Sequence, residues 1–198
     1  MRGVRLSRRA LISGVVGATA ALGLPGAARA DEVTVPVPLQ IELLAKVAAY
    51  DKNLPARAGS KARVVVLSKS KDGDSERIAE QAKKELQKKD TIAGLPAEVT
   101  SLGYSDAKDL VKHIKSKHIA VVYLAPGFSG GELGTLAKAL EGVSVLTVGA
   151  VPKQVAGGVV LGFDLVGGKP KLLVHLKQAK KQDVELSSKV LKLVKVVG

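Results

Sequence analysis

Three histidines are the side chains best suited to metal binding or acid–base chemistry in this chain. His113 lies in a lysine-rich stretch and His118 at the start of an apolar run. Neither has a second histidine at the i+4 spacing of a helical zinc site. His175 follows another apolar run, where a hydrogen-bonding structural role explains it better than catalysis. We therefore expect no metal ligand among the histidines.

A glycine-rich loop is the best candidate for a small-ligand site. Residues 126–131 read PGFSGG and follow an apolar run at 118–125. Loop amides and helix N-termini bind anions, and ligands of open α/β sheets lie beyond the carboxyl ends of the strands. The candidate crevice consists of Ser68, Lys69, Gly127, Ser129, Gly130 and Gly131. A structural role fits better, since a strand-to-helix turn needs glycine and a capping serine.

Other catalytic patterns are missing from the sequence. There is no Walker or dinucleotide motif. Asp72 and Asp74 have the spacing of turn residues and not of a catalytic acid pair. The chain has no cysteine, which excludes disulfides and thiolate metal sites. We expect a protein that is not an enzyme and that uses no cofactor.

Apolar runs alternate with amphipathic stretches along most of the chain. Strands are predicted at 63–68, 97–102, 118–125 and 143–148, with helices at 75–89, 106–117 and 132–140 between them. This alternation predicts a single α/β domain with a mostly parallel sheet and helices on both faces. Gly167-Gly168 between two further strands predicts a C-terminal antiparallel hairpin. Apolar residues from Val184 to Val194 predict a closing helix that begins near Asp183 and Glu185.

Residues 1–30 have the pattern of an export signal, with five arginines, no acid, an apolar run and a small-x-small site ending at Ala30. Arg8-Arg9 resembles a twin-arginine motif, and an ordinary secretory signal is the alternative. Cleavage leaves an extended segment at 31–38, a periplasmic protein, and no stable membrane insertion.

An amphipathic helix is predicted after this segment. Leu39, Leu43, Val47, Tyr50 and Leu54 recur at spacings of three and four, with Pro55 as the stop. Such a stripe serves either core packing or partner binding.

The charge balance sets limits on partners. The formal net charge of +13 falls to +8 without residues 1–30, and aromatic residues make up only 3% of the chain. Lysines without interleaved aromatics favour a solvated surface over nucleic-acid binding.

The last fifty residues resemble the end of the YfiR-like family of periplasmic regulators. That family closes with a strand, an Ala-containing linker and a Leu-Ser-Ser-(Lys/Arg)-Leu-Leu helix, which residues 174–176, Ala179 and 186–191 (LSSKVL) match. The positions that correspond to the family signature are Leu146, Thr147, Gly157, Gly158, His175, Leu186, Ser187 and Ser188. His175 stands where the family usually has Asn, and Asp183 where it usually has Gly.

The resemblance implies a YfiR-like domain over 39–198 and a function in signalling. YfiR-like proteins bind the periplasmic sensor part of a membrane protein, such as a diguanylate cyclase or histidine kinase, and so affect cyclic-di-GMP signalling and biofilm formation. The expected contact face comprises Leu43, Val47, Tyr50 and Leu54, with exposed parts of the last helix. The sequence does not decide whether the chain forms a homodimer. The missing cysteines exclude regulation by a disulfide. The alternative is a periplasmic small-ligand-binding protein that serves a transporter or sensor.

Overall fold

The structure, a computed structural model, describes residue 33 and residues 35–198. The predicted export signal lies outside this part of the chain. The helices are α1 (Val37–Ala48), α2 (Leu54–Ala58), α3 (Gly73–Gln87), α4 (Ala107–Lys117), α5 (Gly130–Ala139), α6 (Pro152–Ala156), α7 (Leu176–Lys181) and α8 (Ser188–Leu191). The strands are β1 (Ala62–Lys69), β2 (Thr91–Ile92), β3 (Leu95–Tyr104), β4 (Val121–Leu124), β5 (Leu146–Gly149), β6 (Leu161–Val166), β7 (Lys169–Val174) and β8 (Lys195–Val196).

The strands form one sheet in the order β2-β3-β1-β4-β5-β6-β7-β8. Strands β3, β1, β4, β5 and β6 run parallel, whereas β2 and β7 are antiparallel to β3 and β6. Every residue of β4 and β5 is buried, as expected for strands covered on both faces. The predicted fold class is therefore confirmed.

Strand β1 shows how the two layers of helices are held. Val64 and Val66 pack into one apolar core with α1 and α3. Val65 and Leu67 point to the other face and pack into a second core with α4 and α5. This alternation follows from the two-residue period of a strand, and it places α1 and α5 on opposite faces of the sheet.

The C-terminal hairpin is confirmed, and its turn explains the glycine pair. Strands β6 and β7 pair from Leu161↔Val174 to Val166↔Lys169. Gly167 and Gly168 both have positive φ, 58° and 74°, which a two-residue hairpin turn of this kind requires.

The closing helix differs from the prediction over residues 182–195. Only the short helix α8 lies within the predicted helix, a separate helix α7 forms before it, and β8 then pairs with β7. Asp183 has a left-handed φ of 53°, and Leu186 forms an antiparallel bridge with Asp51. Residues 183–187, the C-terminal link below, are not helical because they bond to the loop after α1.

The chain after α1 also differs from the prediction. Helix α1 begins at Val37 and ends at Ala48, before the predicted stop at Pro55, and a second short helix, α2, follows. Pro55 lies in the first turn of α2, where no backbone N–H is needed. His118 is the left-handed cap of α4, so the central strand starts later, at Val121.

None of the described helices is long and apolar enough to cross a membrane.

Candidate functional site: an apolar groove at the C-terminus

An apolar groove lies where the end of α1, β7 and α8 meet. We call it the C-terminal groove. It has a cavity volume of about 580 Å³. Its lining consists of Leu43, Lys46, Val47, Ala49, Tyr50, Leu172, Lys189, Val190 and Leu193.

The groove has a buried floor and an exposed rim. Val47 and Val190 are each only 4% exposed and belong to the main core. Tyr50 and Leu193 are 44% and 67% exposed, and both are large side chains. Exposed apolar side chains gathered at one concave site are typical of a surface that binds another molecule.

The apolar surface continues along the hairpin. Leu172 lies opposite Phe163, and Pro170 lies opposite Leu165 in the register of β6 and β7. Residues two apart in a strand, and residues paired across strands, share a face. Leu165, which is 42% exposed, therefore extends the apolar face from Leu172 toward the hairpin turn.

The charged groups around the groove are mainly lysines. Lys46 pairs with Glu42 at 2.6 Å on the exposed side of α1. Among the described residues, Lys189, Lys192 and Lys195 have no ion pair, and all three are exposed. The rim near α8 is therefore basic.

A buried carboxylate fixes the position of the α8 wall. One oxygen of Asp51 accepts hydrogen bonds from the backbone N–H groups of Glu185, at 3.1 Å, and Asn53, at 3.2 Å. Its other oxygen pairs with Arg57, and the Asp51 and Arg57 side chains are only 0% and 3% exposed. Burial raises the pKa of Asp51, and the Arg57 charge opposes that rise.

Backbone hydrogen bonds join the same two segments. The N–H of Lys52 donates to Glu185 O at 2.9 Å, and the N–H of Ser187 donates to Tyr50 O at 3.0 Å. The Asn53 amide donates to the Asp183 carboxylate at 2.8 Å. The loop after α1 and the C-terminal link thus form one rigid unit, so both walls of the groove are already in place.

The predicted contact residues divide into exposed and buried ones. Tyr50 and half-buried Leu43 lie on the groove surface. Val47 lies in its floor, and Leu54 is fully buried, so we leave Leu54 out of the proposed contact surface. Leu172 and Leu193 were not among the predicted contact residues, because both follow patterns that also predict core packing.

The positions that resemble the family signature hold the strands, α7 and α8 together. The Thr147 hydroxyl donates to Gln182 at 3.0 Å and accepts from the N–H of Val160 at 3.0 Å. His175 Nδ1 accepts from the N–H of Gln178 at 3.1 Å and so caps α7. Leu186 is buried in the core, and Ser187 and Ser188 are the N-cap and first residue of α8. Leu146 is buried in β5.

The glycine pair fits against α5. A Cβ on Gly157 would lie 2.8 Å from the Leu133 side chain. A Cβ on Gly158 would lie 2.5 Å from Ala137, and Gly158 has a φ of +102°. Both positions therefore bring the α6–β6 turn closer to α5 than a larger residue allows.

The glycine-loop residues lie together, but several of their polar groups are engaged within the protein. Lys69 pairs with Glu132, whose carboxylate also accepts the N–H of Ser129 at 2.9 Å. The Lys69 hydrogen bond, aided by that of Ser129, lowers the pKa of Glu132. Gly127 approaches Asp72, and a Cβ there would lie 2.7 Å from its carboxylate. Gly130 and Gly131 begin α5, and Ser68 is half-buried near the end of β1. The Lys69 ammonium and the Ser129 amide are thus already paired with Glu132.

The remaining histidines lie apart from one another. His113 lines a cavity of about 310 Å³ between β3 and α4, together with Asp106, Asp109 and Lys112. His118 lines a different cavity with Arg57 and Lys115. Within the described residues, no three His, Asp or Glu side chains are grouped as a metal site requires.

Several solved structures share the fold at low sequence identity. The ABC domain from Streptococcus pneumonia in complex with L-Trp has a TM-score of 0.55 and 14% identity, over 82% of this chain and 62% of that one. The ligand-free, open substrate-binding protein CD0873 from Clostridium difficile has a TM-score of 0.54 and 13% identity, over 74% and 57%. A conserved domain protein from Vibrio cholerae has a TM-score of 0.55 and 14% identity, over 82% and 60%. The chain thus spans about 60% of the length of these structures, and the likeness shows the fold alone.

A comparison with curated proteins found no match. The family described as YfiR/HmsC-like matches residues 38–195, which include all of α1 except its first residue, every element from α2 to α8, and the C-terminal groove. The chain therefore belongs to the YfiR/HmsC-like family.

Proposed function

We propose that this chain is a non-enzymatic periplasmic regulator that binds the sensor part of a membrane signalling protein. YfiR-like proteins have a regulatory role in the periplasm, and the proposed partner is a diguanylate cyclase or a histidine kinase. The C-terminal groove is the proposed contact surface. The observation that carries this proposal is the exposed rim of Tyr50 and Leu193 above a rigid, buried floor.

The rigid floor favours recognition by contact. Because Asp51 and the backbone bonds hold the C-terminal link, the protein does not have to order this wall when a partner arrives. A preformed surface binds with a smaller loss of conformational entropy than a mobile one.

Site-specific photo-cross-linking in the native cell tests this function. A photoreactive amino acid replaces Leu193 on the groove rim or, as a control, Lys138 on α5 at the opposite face. We expect the Leu193 position to cross-link to the outer part of a membrane protein, identified by mass spectrometry of the joined peptides. Equal cross-linking from both positions, or none from Leu193, would contradict the proposal.

Export of the protein is part of the same proposal. Residues 1–30 are the proposed signal, with cleavage near Ala30 and a twin-arginine route. Arg8→Lys combined with Arg9→Lys should leave the uncleaved chain in the cytosol. Continued export of that double variant would indicate an ordinary secretory signal.

The alternative function is small-ligand binding for a transporter or sensor. Its support is the fold shared with a structure described as a substrate-binding protein. The internal pairing of Lys69 and Ser129 with Glu132 counts against an anion in the glycine-loop crevice. Native mass spectrometry of the purified exported protein distinguishes the two, since only the alternative predicts a retained small molecule.

A further inference from the structure

The shape of the C-terminal groove limits the kind of segment that fits it. Its walls come from α1 and α8 and the turns that follow them, with Leu43, Val47 and Tyr50 on one side and Val190 and Leu193 on the other. Residues at these spacings of three and four form the ridges between which another helix packs. Leu172 of β7 closes the groove between the two walls.

The chemistry of the lining also favours a helix as the occupant of the groove. Apart from the two lysines and the Tyr50 hydroxyl, the lining side chains are hydrocarbon. An occupant must therefore satisfy its own backbone hydrogen bonds, as a helix does. The neighbouring edge strand β8 has only two residues, Lys195–Val196, and gives a short template for adding a strand.

The charged side chains around the groove further limit the kind of helix that can bind. Lys46 and Lys189 line the groove, and Lys192 and Lys195 follow along the α8 side without an ion pair among the described residues. Lys46 pairs with Glu42 and Glu185 pairs with Lys52, so among the described residues the unpaired charges of this rim are those of Lys189, Lys192 and Lys195. A basic rim attracts an acidic partner and repels a basic one.

We infer that the C-terminal groove binds an amphipathic helix whose apolar stripe is flanked by Asp or Glu. This inference rests on the proposed function, and it names the part of the sensor that makes contact. Leucine-like side chains of the helix contact Leu43, Tyr50, Leu172 and Leu193. The acidic flanks of the helix face Lys46 and Lys189.

Matched synthetic helices test the inference. One labelled peptide of about 18 residues carries leucines at i, i+3, i+4 and i+7 with Glu at the flanks, and a second has Lys in place of each Glu. Binding to the purified exported protein is measured by fluorescence anisotropy at low and moderate salt. The Glu peptide should bind at least about tenfold more tightly than the Lys peptide, with a difference that shrinks as salt rises.

Variants of the protein locate the binding. Lys46→Glu combined with Lys189→Glu should reverse the preference between the two peptides, whereas Lys138→Glu on α5 should leave it unchanged. Leu193→Asp should weaken both peptides by about tenfold or more. Equal affinity for both peptides would overturn the inference, and so would unchanged binding of the Glu peptide by Leu193→Asp.

Two further results separate this inference from the proposed function. If Leu193 cross-links to a sensor but the Glu peptide does not bind, the acidic helix is wrong and the regulatory function stands. If the Glu peptide binds as expected but no membrane protein cross-links, the regulatory function is wrong. A concentration-dependent dimer that Leu193→Asp abolishes would assign the groove to a second copy and overturn the inference.

Discussion

The carboxylate of Asp51 accepts a hydrogen bond of 3.1 Å from the backbone N–H of Glu185, 134 residues further along the chain. This bond joins the end of the first helix to the segment that carries the last one. Because Asp51 is also paired with buried Arg57, one small cluster fixes the distance between the two walls of the C-terminal groove. The stability of the contact surface therefore depends on residues that do not line it.

Removing either member of the buried pair should destabilise the protein strongly. Asp51→Asn and Arg57→Met should each lower the free energy of unfolding by about 3–5 kcal/mol, because each leaves the other charge buried without a partner. The double variant should lose less than the sum of the two. Urea unfolding measures these changes, and hydrogen exchange at the amides of Glu185 and Ser187 should accelerate in both single variants.

Lys46→Met provides the control for that comparison. It breaks the exposed Lys46–Glu42 pair and should leave the urea midpoint almost unchanged, because water screens the two charges. A loss from Asp51→Asn as small as that from Lys46→Met would show that the buried pair does not hold the link.

The floor and the rim of the groove should respond differently to the same substitution. Val47→Asp should lower the free energy of unfolding by about 3 kcal/mol or more, because it buries an unpaired charge. Leu193→Asp should change it by about 0.5 kcal/mol or less, because that side chain is 67% exposed. Thermal unfolding followed by circular dichroism measures both, and equal losses would contradict the assignment of floor and rim.

The close packing of the α6–β6 turn against α5 predicts a steric effect. Gly158→Ala should cost about 1–3 kcal/mol, since its Cβ meets Ala137 at 2.5 Å and its φ is +102°. Adding Ala137→Gly should recover only the steric part of the loss. Gly134→Ala, on the exposed side of α5 with no atom within 4 Å of the new Cβ, should instead stabilise by about 0.5–1 kcal/mol. Chemical denaturation of the wild type and the three variants tests the set, and a neutral Gly158→Ala would contradict the packing.

The cap of α5 predicts a pH dependence. The Lys69 hydrogen bond lowers the pKa of Glu132 below its ordinary value of 4.5, so the folded state favours the ionised carboxylate. The resulting stability is present above that ordinary value and is lost as pH falls through the lowered pKa. Glu132→Gln should therefore cost about 0.5–1 kcal/mol at pH 7, a modest amount because the pair is partly exposed.

The difference between the wild type and Glu132→Gln should shrink as the solution is acidified below the ordinary pKa of glutamate. Urea unfolding at several pH values measures it. Lys69→Met, which removes the main cause of the lowered pKa, should reduce the same pH dependence. A difference that grows on acidification would have the opposite sign and would refute the role given to Glu132.

The α/β fold was predictable from the sequence because its signals are local. The apolar run that contains β4 is surrounded by helices with clear periodicity and capping residues such as Asp106. Gly167-Gly168 likewise predicts the hairpin, since few other pairs accept two positive φ angles.

The C-terminal link was not predictable in the same way. Val184, Leu186 and Val190 have helix-like spacing, yet residues 183–187 bond to the loop after α1 and are not helical. Whether residues 183–187 form a helix is decided by their hydrogen bonds to Asp51, far away in the chain, and by the left-handed backbone at Asp183. The groove was only half predicted for the same reason, because the Leu193 wall depends on how this link is held.

The central claim is tested most directly by the binding of the purified protein to the sensor domain that the cross-linking experiment identifies. Isothermal titration calorimetry compares the wild type, Leu193→Asp, and Lys138→Glu on the opposite face. Recognition through the C-terminal groove predicts measurable affinity for the wild type and Lys138→Glu, and at least about a tenfold loss for Leu193→Asp without a change in thermal stability. Equal affinity of all three proteins would contradict it.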